Sequence, residues 1–305
     1  MTATRPVYRL GTRASPLAMA QAHMAKAALM AVHGWDDARI EICPVTTLGD
    51  RVLDRPLAEI GGKALWTKPI DAALLAGTID FAVHSMKDVE TVRPAEIALV
   101  AMLERADVRD KLIGADSIAE LPEAARVGTS SPRRAAQLKH LRPDLEIVGF
   151  RGNVATRLAR LERGEADATL LAAAGLDRLD QSDVGVTIAV AQMIPAASQG
   201  AIGIEARADD HEMQALLAAI DHGATSQAVR AERALLAALN ADCHSPVGAH
   251  AQFDGPVLTL TAQLLSGDGA ESVADSIVVE DDASPATLAR TLLGRASPAV
   301  RALFG

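Results

Sequence analysis

The chain has 305 residues, 49% of them apolar and 23% charged, with a formal net charge of −9. That length and composition exclude a small disulfide-dependent scaffold and a disordered polymer, and they fit two or three globular domains. The negative balance provides no global attraction to nucleic acid or to an anionic membrane.

Basic residues are unevenly chosen, 24 Arg against 6 Lys, and guanidinium forks suit bidentate carboxylate recognition. Cys43 and Cys243 lie far apart without metal-ligand spacing, which excludes a multi-disulfide framework and a cysteine-rich zinc site. The start lacks the apolar run of a secretory signal, and no later segment reaches transmembrane length, so a cytoplasmic protein that binds no membrane is expected.

The first predicted strand is Val7 to Leu10, followed by a turn and a helix over Leu17 to Met30, with Ser15 as cap and Pro16 in the first turn. A strand over Ile40 to Val45, a helix over Lys68 to Leu75 and a strand over Ile79 to His84 come next. The strand, loop, helix grammar returns twice. Ala125 to Gly128 leads through Thr129-Ser130-Ser131-Pro132 into a helix ending near Leu141, and Leu145 to Phe150 leads through Arg151-Gly152-Asn153 into one ending near Leu161.

Ala168 to Leu171 reads as another strand, and the alternation predicts predominantly parallel, helix-covered sheets with ligand sites beyond the strand C-termini. After Asp210 the pattern changes. Helices are expected over His211 to Ile220 and Ser226 to Leu239, strands over Val257 to Leu265 and Ser272 to Val279 around a turn at Asp268-Gly269, and a last helix over Pro285 to Leu293. The C-terminal third therefore reads as a smaller α+β domain.

The densest polar signal is His84-Ser85-Met86-Lys87-Asp88, directly after an apolar strand. A carboxyl group fixed there can give a proton to a leaving amine and, once ionised, stabilise positive charge, with Lys87 moderating it; read alone, the pentad fits a solvated loop better. Arg13, Arg133, Arg134, Arg151 and Arg157 stand at or near predicted helix starts, where guanidinium groups and unpaired amides can face one anion, although each also fits an internal salt bridge. Cys243 follows a predicted helix and is placed to be an exposed nucleophile, whereas Cys43 reads as a buried small hydrophobe. A Cys-His hydrolase using His244 is a weaker alternative, since adjacency does not give the geometry. Gly61-Gly62-Lys63 lacks the full phosphate-loop pattern, and no metal-binding motif occurs, so no metal is expected.

Seven segments in order resemble the porphobilinogen deaminase (hydroxymethylbilane synthase) family: RLGTRASPLAMAQ, GGKALWTK, DFAVHSMKDV, VGTSSPRR, RGNVATRLARLERGEADATLLAAAGLDRL, IPAASQGAIGIEAR and ADCHSPVGA. The resemblance implies an α/β protein with two lobes shaped like type II periplasmic binding proteins and a small α+β C-terminal domain. Its expected divisions are residues 1–103 with 200–222, residues 104–199, and residues 223–305. It further implies a dipyrromethane cofactor on Cys243, made from the enzyme's own substrate, and sequential addition of four porphobilinogen units with loss of ammonia, ending in hydrolytic release of linear hydroxymethylbilane.

By the same resemblance Asp88 serves catalysis, and Arg13, Lys63, Lys87, Arg133, Arg134, Arg151 and Arg157 hold the carboxylates of cofactor and substrate. Ser130, Ser131 and Gln199 support them. A monomer that hands its product to the next enzyme of tetrapyrrole synthesis is the implied setting. Glu59, Pro69, Glu90, Pro132, Ser198 and the His244-Ser245 pair depart from the commonest family residues; Glu90 stands where proline is usual and Ser198 where glycine is. The different-class alternative is a binding protein for a small dicarboxylate, against which the Cys243 loop and the extra C-terminal domain weigh.

Overall fold

The structure is a computed structural model that describes residues 7–46 and 67–304. In chain order these form β1 (Tyr8–Arg13), α1 (Pro16–His33), β2 (Ile40–Val45), α2 (Lys68–Leu75), β3 (Phe81–Ser85), β4 (Ile97–Met102), β5 (Asp110–Ile113), β6 (Arg126–Gly128), α3 (Pro132–Leu141), β7 (Glu146–Val148), α4 (Val154–Glu162), β8 (Ala168–Ala172) and α5 (Ala173–Asp177). They continue with β9 (Val186–Thr187), β10 (Ile202–Arg207), α6 (His211–Ala218), α7 (Gly223–Ala238), β11 (Val247–Asp254), β12 (Val257–Leu265), β13 (Ser272–Val278), α8 (Ser284–Arg295) and α9 (Pro298–Arg301). The chain divides into two compact units, Met1–Arg105 with Ala201–Ser226, and Ala106–Gly200 with Gln227–Gly305.

In the first unit the sheet order is β2-β1-β3-β10-β4. Strand alternation sorts side chains to the two faces: Leu10, Phe81 and Val83 pack with Ala22, Ala25 and Leu29 of α1 and with Met213 and Leu217 of α6, while Ala82 packs with Ile70 and Leu74 of α2. Burying each large aliphatic residue of this kind contributes about 1.5–3 kcal/mol. The expected strand at the N-terminus runs three residues further, to Arg13, because Gly11, Thr12 and Arg13 pair with Cys43, Pro44 and Val45 of the parallel β2. Pro44 is tolerated there because β2 is an edge strand. Cys43 is half-buried rather than fully buried, packed beside the Ile70 and Leu74 cluster.

The second unit holds a sheet of order β7-β6-β8-β5-β9 and an antiparallel sheet of order β11-β12-β13. In β12, Leu258, Leu260, Ala262 and Leu264 alternate onto one covered face, where Leu235 of α7, Leu239 just after it, and Leu288 and Leu292 of α8 join them. The α/β lobes and the smaller α+β part are as expected.

The prediction of predominantly parallel sheets is corrected. Strand β10 runs antiparallel to both β3 and β4, and β5 runs antiparallel to both β8 and β9, so each five-stranded sheet is mixed. A parallel neighbour needs a helical crossover from the adjacent strand, and neither β10 nor β5 follows its neighbour that way.

Ser198 is buried with φ of 63°, in the left-handed region that a Cβ disfavours. Its backbone N–H donates to buried Glu232 Oε2 at 2.6 Å, and Glu232 Oε1 accepts from Ala251 N at 2.7 Å, so this unfavourable conformation is held by two buried hydrogen bonds. Ser198→Gly is expected to raise stability by about 1 kcal/mol, read as a higher urea midpoint with unchanged slope; no gain would mean that the backbone there is unstrained.

Candidate active site

In the first unit, β1 and β3 are parallel and bring their C-terminal ends to one sheet edge. Arg13 ends β1, and Ser15 caps α1 by accepting from Ala18 N at 3.4 Å, with Pro16 at the first helical position. Strand β3 ends at Ser85 and passes into a single 3-10 turn, Met86–Asp88. Met86 is fully buried, and a Cβ at Gly203 of β10 would meet its sulfur at 2.1 Å, so glycine there is what admits Met86. With Met86 and Val89 buried on either side, Asp88 is left exposed at the tip.

Arg13, Ser15, Gln21, His84, Ser85 and Asp88 line one small cavity. Sequence reasoning passed over Gln21, which is 2% exposed and whose Nε2 is buried with no hydrogen-bond partner among the described residues. An unsatisfied amide donor beside Arg13 suits an acceptor oxygen on a ligand. Lys63, placed in the site by resemblance, lies outside the described residues, as does Glu59. Lys87 is half-buried next to Asp88.

In the second unit, β6, β7 and β8 are parallel, so the loops after Gly128, Val148 and Ala172 leave one edge. Gly128 brings two of these loops together, since a Cβ there would lie 2.5 Å from the Phe150 ring. Ser130 Oγ donates to Phe150 O at 2.8 Å across the same junction. Ser131 caps α3 by accepting from Arg134 N, and Asn153 caps α4 by accepting from Thr156 N at 2.9 Å.

Arg133 and Arg134 make the internal ion pairs that each of these positions also allowed. Both are buried and share Asp110: Arg133 Nη2 donates to Oδ2 at 2.7 Å, and Arg134 Nη2 to Oδ1 at 2.6 Å. Gln199 Nε2 donates to the same Oδ1 at 2.9 Å. Burial alone would raise the Asp110 carboxyl, but two adjacent guanidinium groups hold it well below the usual range, while burial pushes Arg133 down. The physical reason for the inward turn is that one carboxylate cannot stay ionised in a dry interior without close cationic partners. The group keeps one net positive charge, and both Arg Nε atoms are buried without partners among the described residues.

Asp110→Asn should therefore cost about 3–5 kcal/mol, because two buried guanidinium groups lose their shared counter-charge. The pH dependence has a definite sign. Asp110, and Glu205 in the first unit, held down to about 2 by His84 and Arg93 against the raising effect of burial, have depressed folded-state values. Their stabilisation is complete above the unfolded values near ~4 and is lost as pH falls through the folded ones. Urea midpoints measured from neutral pH downward should drop below pH ~4, and less steeply in Asp110→Asn; equal slopes in the two proteins would contradict the assignment.

Arg151 lies at the start of the α4 loop, half-buried, with Nη1 buried and unpartnered, and Arg157 Nε donates to Gly152 O at 3.0 Å. A second residue missed from sequence is Arg178, just after α5. Its Nη2 donates to Gly200 O at 2.6 Å, its Nε is buried without a partner, and burial pushes it down to about 10, nearby Asp177 only partly opposing this. The signal was present as Leu176-Asp177-Arg178-Leu179, but nothing in that spacing says the cation is enclosed.

Helix α7 ends in a left-handed Asn240, with Ala241 N donating back to Leu236 O at 2.8 Å. The following turn is closed by His244 N donating to Asp242 Oδ1 at 2.8 Å and Asp242 N donating to Ser245 Oγ at 3.1 Å. Cys243 is exposed at its tip.

Residues 8–215 match the family described as "Porphobilinogen deaminase, dipyromethane cofactor binding domain", and residues 226–294 match "Porphobilinogen deaminase, C-terminal domain". The chain belongs to the porphobilinogen deaminase family. It is 62% identical over 303 residues to the porphobilinogen deaminase of Sphingopyxis alaskensis, covering 97% of this chain and 96% of that protein. It is 49% identical over 294 residues to that of Paracoccus denitrificans, covering 94% of each. Among solved structures, an ancestral cationic amino acid solute binding protein aligns at 17% identity over 73% of this chain and 90% of that one, with a TM-score of 0.45. A periplasmic substrate-binding protein from Coxiella burnetii aligns at 16% identity over 72% and 94%, with a TM-score of 0.43.

The dipyrromethane cofactor belongs with the domain matched at residues 8–215. Donors in each unit, taken separately, suit it chemically: the cofactor is an anion rich in carboxylates, and among the described residues a buried N–H of Gln21 in the first unit, and buried N–H groups of Arg151 and of Arg178 in the second, have no acceptor. Among the described residues no helix is long and apolar enough to cross a membrane.

Proposed function

We propose that Cys243 holds the dipyrromethane group through a thioether and that Asp88 carries the proton transfers of hydroxymethylbilane synthesis. In that reaction four porphobilinogen molecules condense head to tail, each addition releases ammonia, and water finally releases the linear tetrapyrrole. Membership of the family over nearly the whole chain supports the activity. The observation that carries the residue assignment is the exposed Asp88 carboxyl sharing one cavity with Arg13.

When bound, the dipyrromethane supplies the pyrrole carbon to which the first unit adds. The Asp88 carboxyl serves as general acid, giving a proton to the aminomethyl nitrogen of porphobilinogen as the C–N bond breaks and ammonia leaves. The carboxylate that remains would offset the positive charge that develops on the incoming pyrrole N–H. Arg13, Lys63, Lys87, Arg151 and Arg157 take acetate and propionate arms directly, with Gln21 and Arg178 added to that set. Arg133 and Arg134 act with Asp110 as a positively charged base beneath the loops, and Ser130, Ser131 and Gln199 hold that base in shape.

The three domains we propose are residues 1–103 with 200–222, 104–199 and 223–305. The setting is a cytoplasmic monomer without nucleic-acid or membrane partners, passing its product to the next enzyme of the pathway. Peptide mapping of the purified protein tests the tether: a dipyrrole mass is expected on the peptide containing Cys243, and an active protein lacking it would overturn the assignment.

A further inference from the structure

The buried charges behind the Asp88 loop form a group that the reaction itself does not use. Arg93 is their centre, its side chain 9% exposed. Its Nε donates to Glu205 Oε1 at 2.9 Å, Nη1 to Glu90 Oε2 at 2.6 Å and Asp71 Oδ2 at 3.1 Å, and Nη2 to Asp71 Oδ1 at 2.6 Å and Glu205 Oε2 at 2.8 Å. A guanidinium has five N–H donors, and each has a carboxylate oxygen here. Thr67 Oγ1 adds a bond to Glu90 Oε1 at 2.6 Å. His84 Nε2 faces Glu205 Oε2 at 3.3 Å, in contact but without a well-aligned hydrogen bond.

These groups come from α2 (Asp71), β3 (His84), the loop after Asp88 (Glu90 and Arg93) and β10 (Glu205). Glu205 sits where the pairing of β10 with β4 shifts register, a bulge that re-aims side chains. Three carboxylates around one guanidinium is more negative charge than a dry interior accepts readily, and burial raises the Asp71 carboxyl above its usual range. Such a cluster is a poor source of net stability, so its geometry is the more informative property. It fastens the chain four residues before Asp88, two after and five after, leaving Asp88 as the exposed residue of a segment pinned at both ends. Glu90, where proline is usual in the family, is one of the pins.

We infer that Arg93 is a positioning residue for the reaction: through Glu90, Asp71 and Glu205 it fixes the 84–93 segment so that the Asp88 carboxyl is held in place for proton transfer. This rests on the reading of Asp88 given above. A misplacement of about 1 Å can cost ~10²-fold in rate, while substrate held mainly by cationic groups elsewhere should bind much as before. Lysine keeps the charge but cannot fork to three carboxylates.

The test is a mutant cycle on the full-length, cofactor-loaded protein, using Arg93→Lys, Asp88→Ala and the double variant, with kcat and KM for porphobilinogen corrected for folded fraction by circular dichroism. Arg93→Lys is expected to lower kcat about tenfold to a hundredfold with KM within about twofold, and to have no further effect in the Asp88→Ala background. Multiplying losses in the double variant, or a kcat per folded molecule equal to wild type, would overturn the inference. If Asp88→Ala alone leaves kcat unchanged, the Asp88 reading has failed and the inference falls with it, an outcome distinct from the additive one. Should Arg93→Lys not fold, Glu90→Gln, which leaves Arg93 its bonds to Asp71 and Glu205, is read in the same cycle with the same criteria.

Discussion

Cys243→Ser is expected to give a folded protein that carries no dipyrrole mass and makes hydroxymethylbilane at least about a thousandfold more slowly than wild type. A tether converts each later addition into a local reaction, and effective molarities for well-placed groups reach ~10⁵ M and beyond, so its loss removes most of the advantage. A thiol at an exposed turn can reach an electrophilic carbon as thiolate, whereas a serine hydroxyl without an activating base is a far weaker nucleophile. The substitution itself should be mild. The turn is closed by Asp242, His244 and Ser245, through backbone and side-chain bonds that need no sulfur. Intact mass and multiple-turnover assays give the answer, and a fully active Ser variant would end the proposed attachment.

Asp88→Ala is expected to lower kcat by about 10²–10⁴-fold, the range associated with a positioned general acid. Thermal unfolding should shift little, since the residue is exposed and its neighbours Met86 and Val89 carry the burial. Ammonia release is the step to measure, by single turnover with porphobilinogen, because the carboxyl is assigned to C–N cleavage. Unchanged release with an intact fold would remove Asp88 from the chemistry.

Much of this fold was legible because its signals are local. Helix α2 and strands β2 and β12 fall on the residues their patterns predicted, and the Ser15, Ser131 and Asn153 caps follow from hydroxyl or amide groups placed before apolar helical runs. Strands β4, β5, β9, β10 and β11 were not read. Strand β11, Val-Gly-Ala-His-Ala-Gln-Phe-Asp, is buried over its first five residues, so no alternation marks it, and alanine is a poor strand former. Strand β10 is buried over its first five residues for the same reason, flanked on both sides by other strands.

The site divides along the same line. Asp88 and Cys243 stand at chain reversals with their own local grammar, and the structure leaves both exposed. Arg133 and Arg134 also have a local signal, a helix N-terminus, but their orientation is set by Asp110, more than 20 residues away in sequence. Gln21 and Arg178 were invisible because being unsatisfied is a property of the packed interior, not of neighbouring letters.

The late strand in the first sheet has a consequence for how the chain is made. Strand β4 finds its ladder partner only in β10, about a hundred residues downstream, whereas the sheet of β5 to β9 has all its strands by Thr187. On a ribosome releasing the chain from its N-terminus, the sheet that begins later can close earlier, and the edge of β3 stays open until β10 emerges. An unpaired edge of that kind is a template for wrong partners, so synthesis that stalls between Thr187 and Ile202 leaves the nascent polypeptide at its most aggregation-prone.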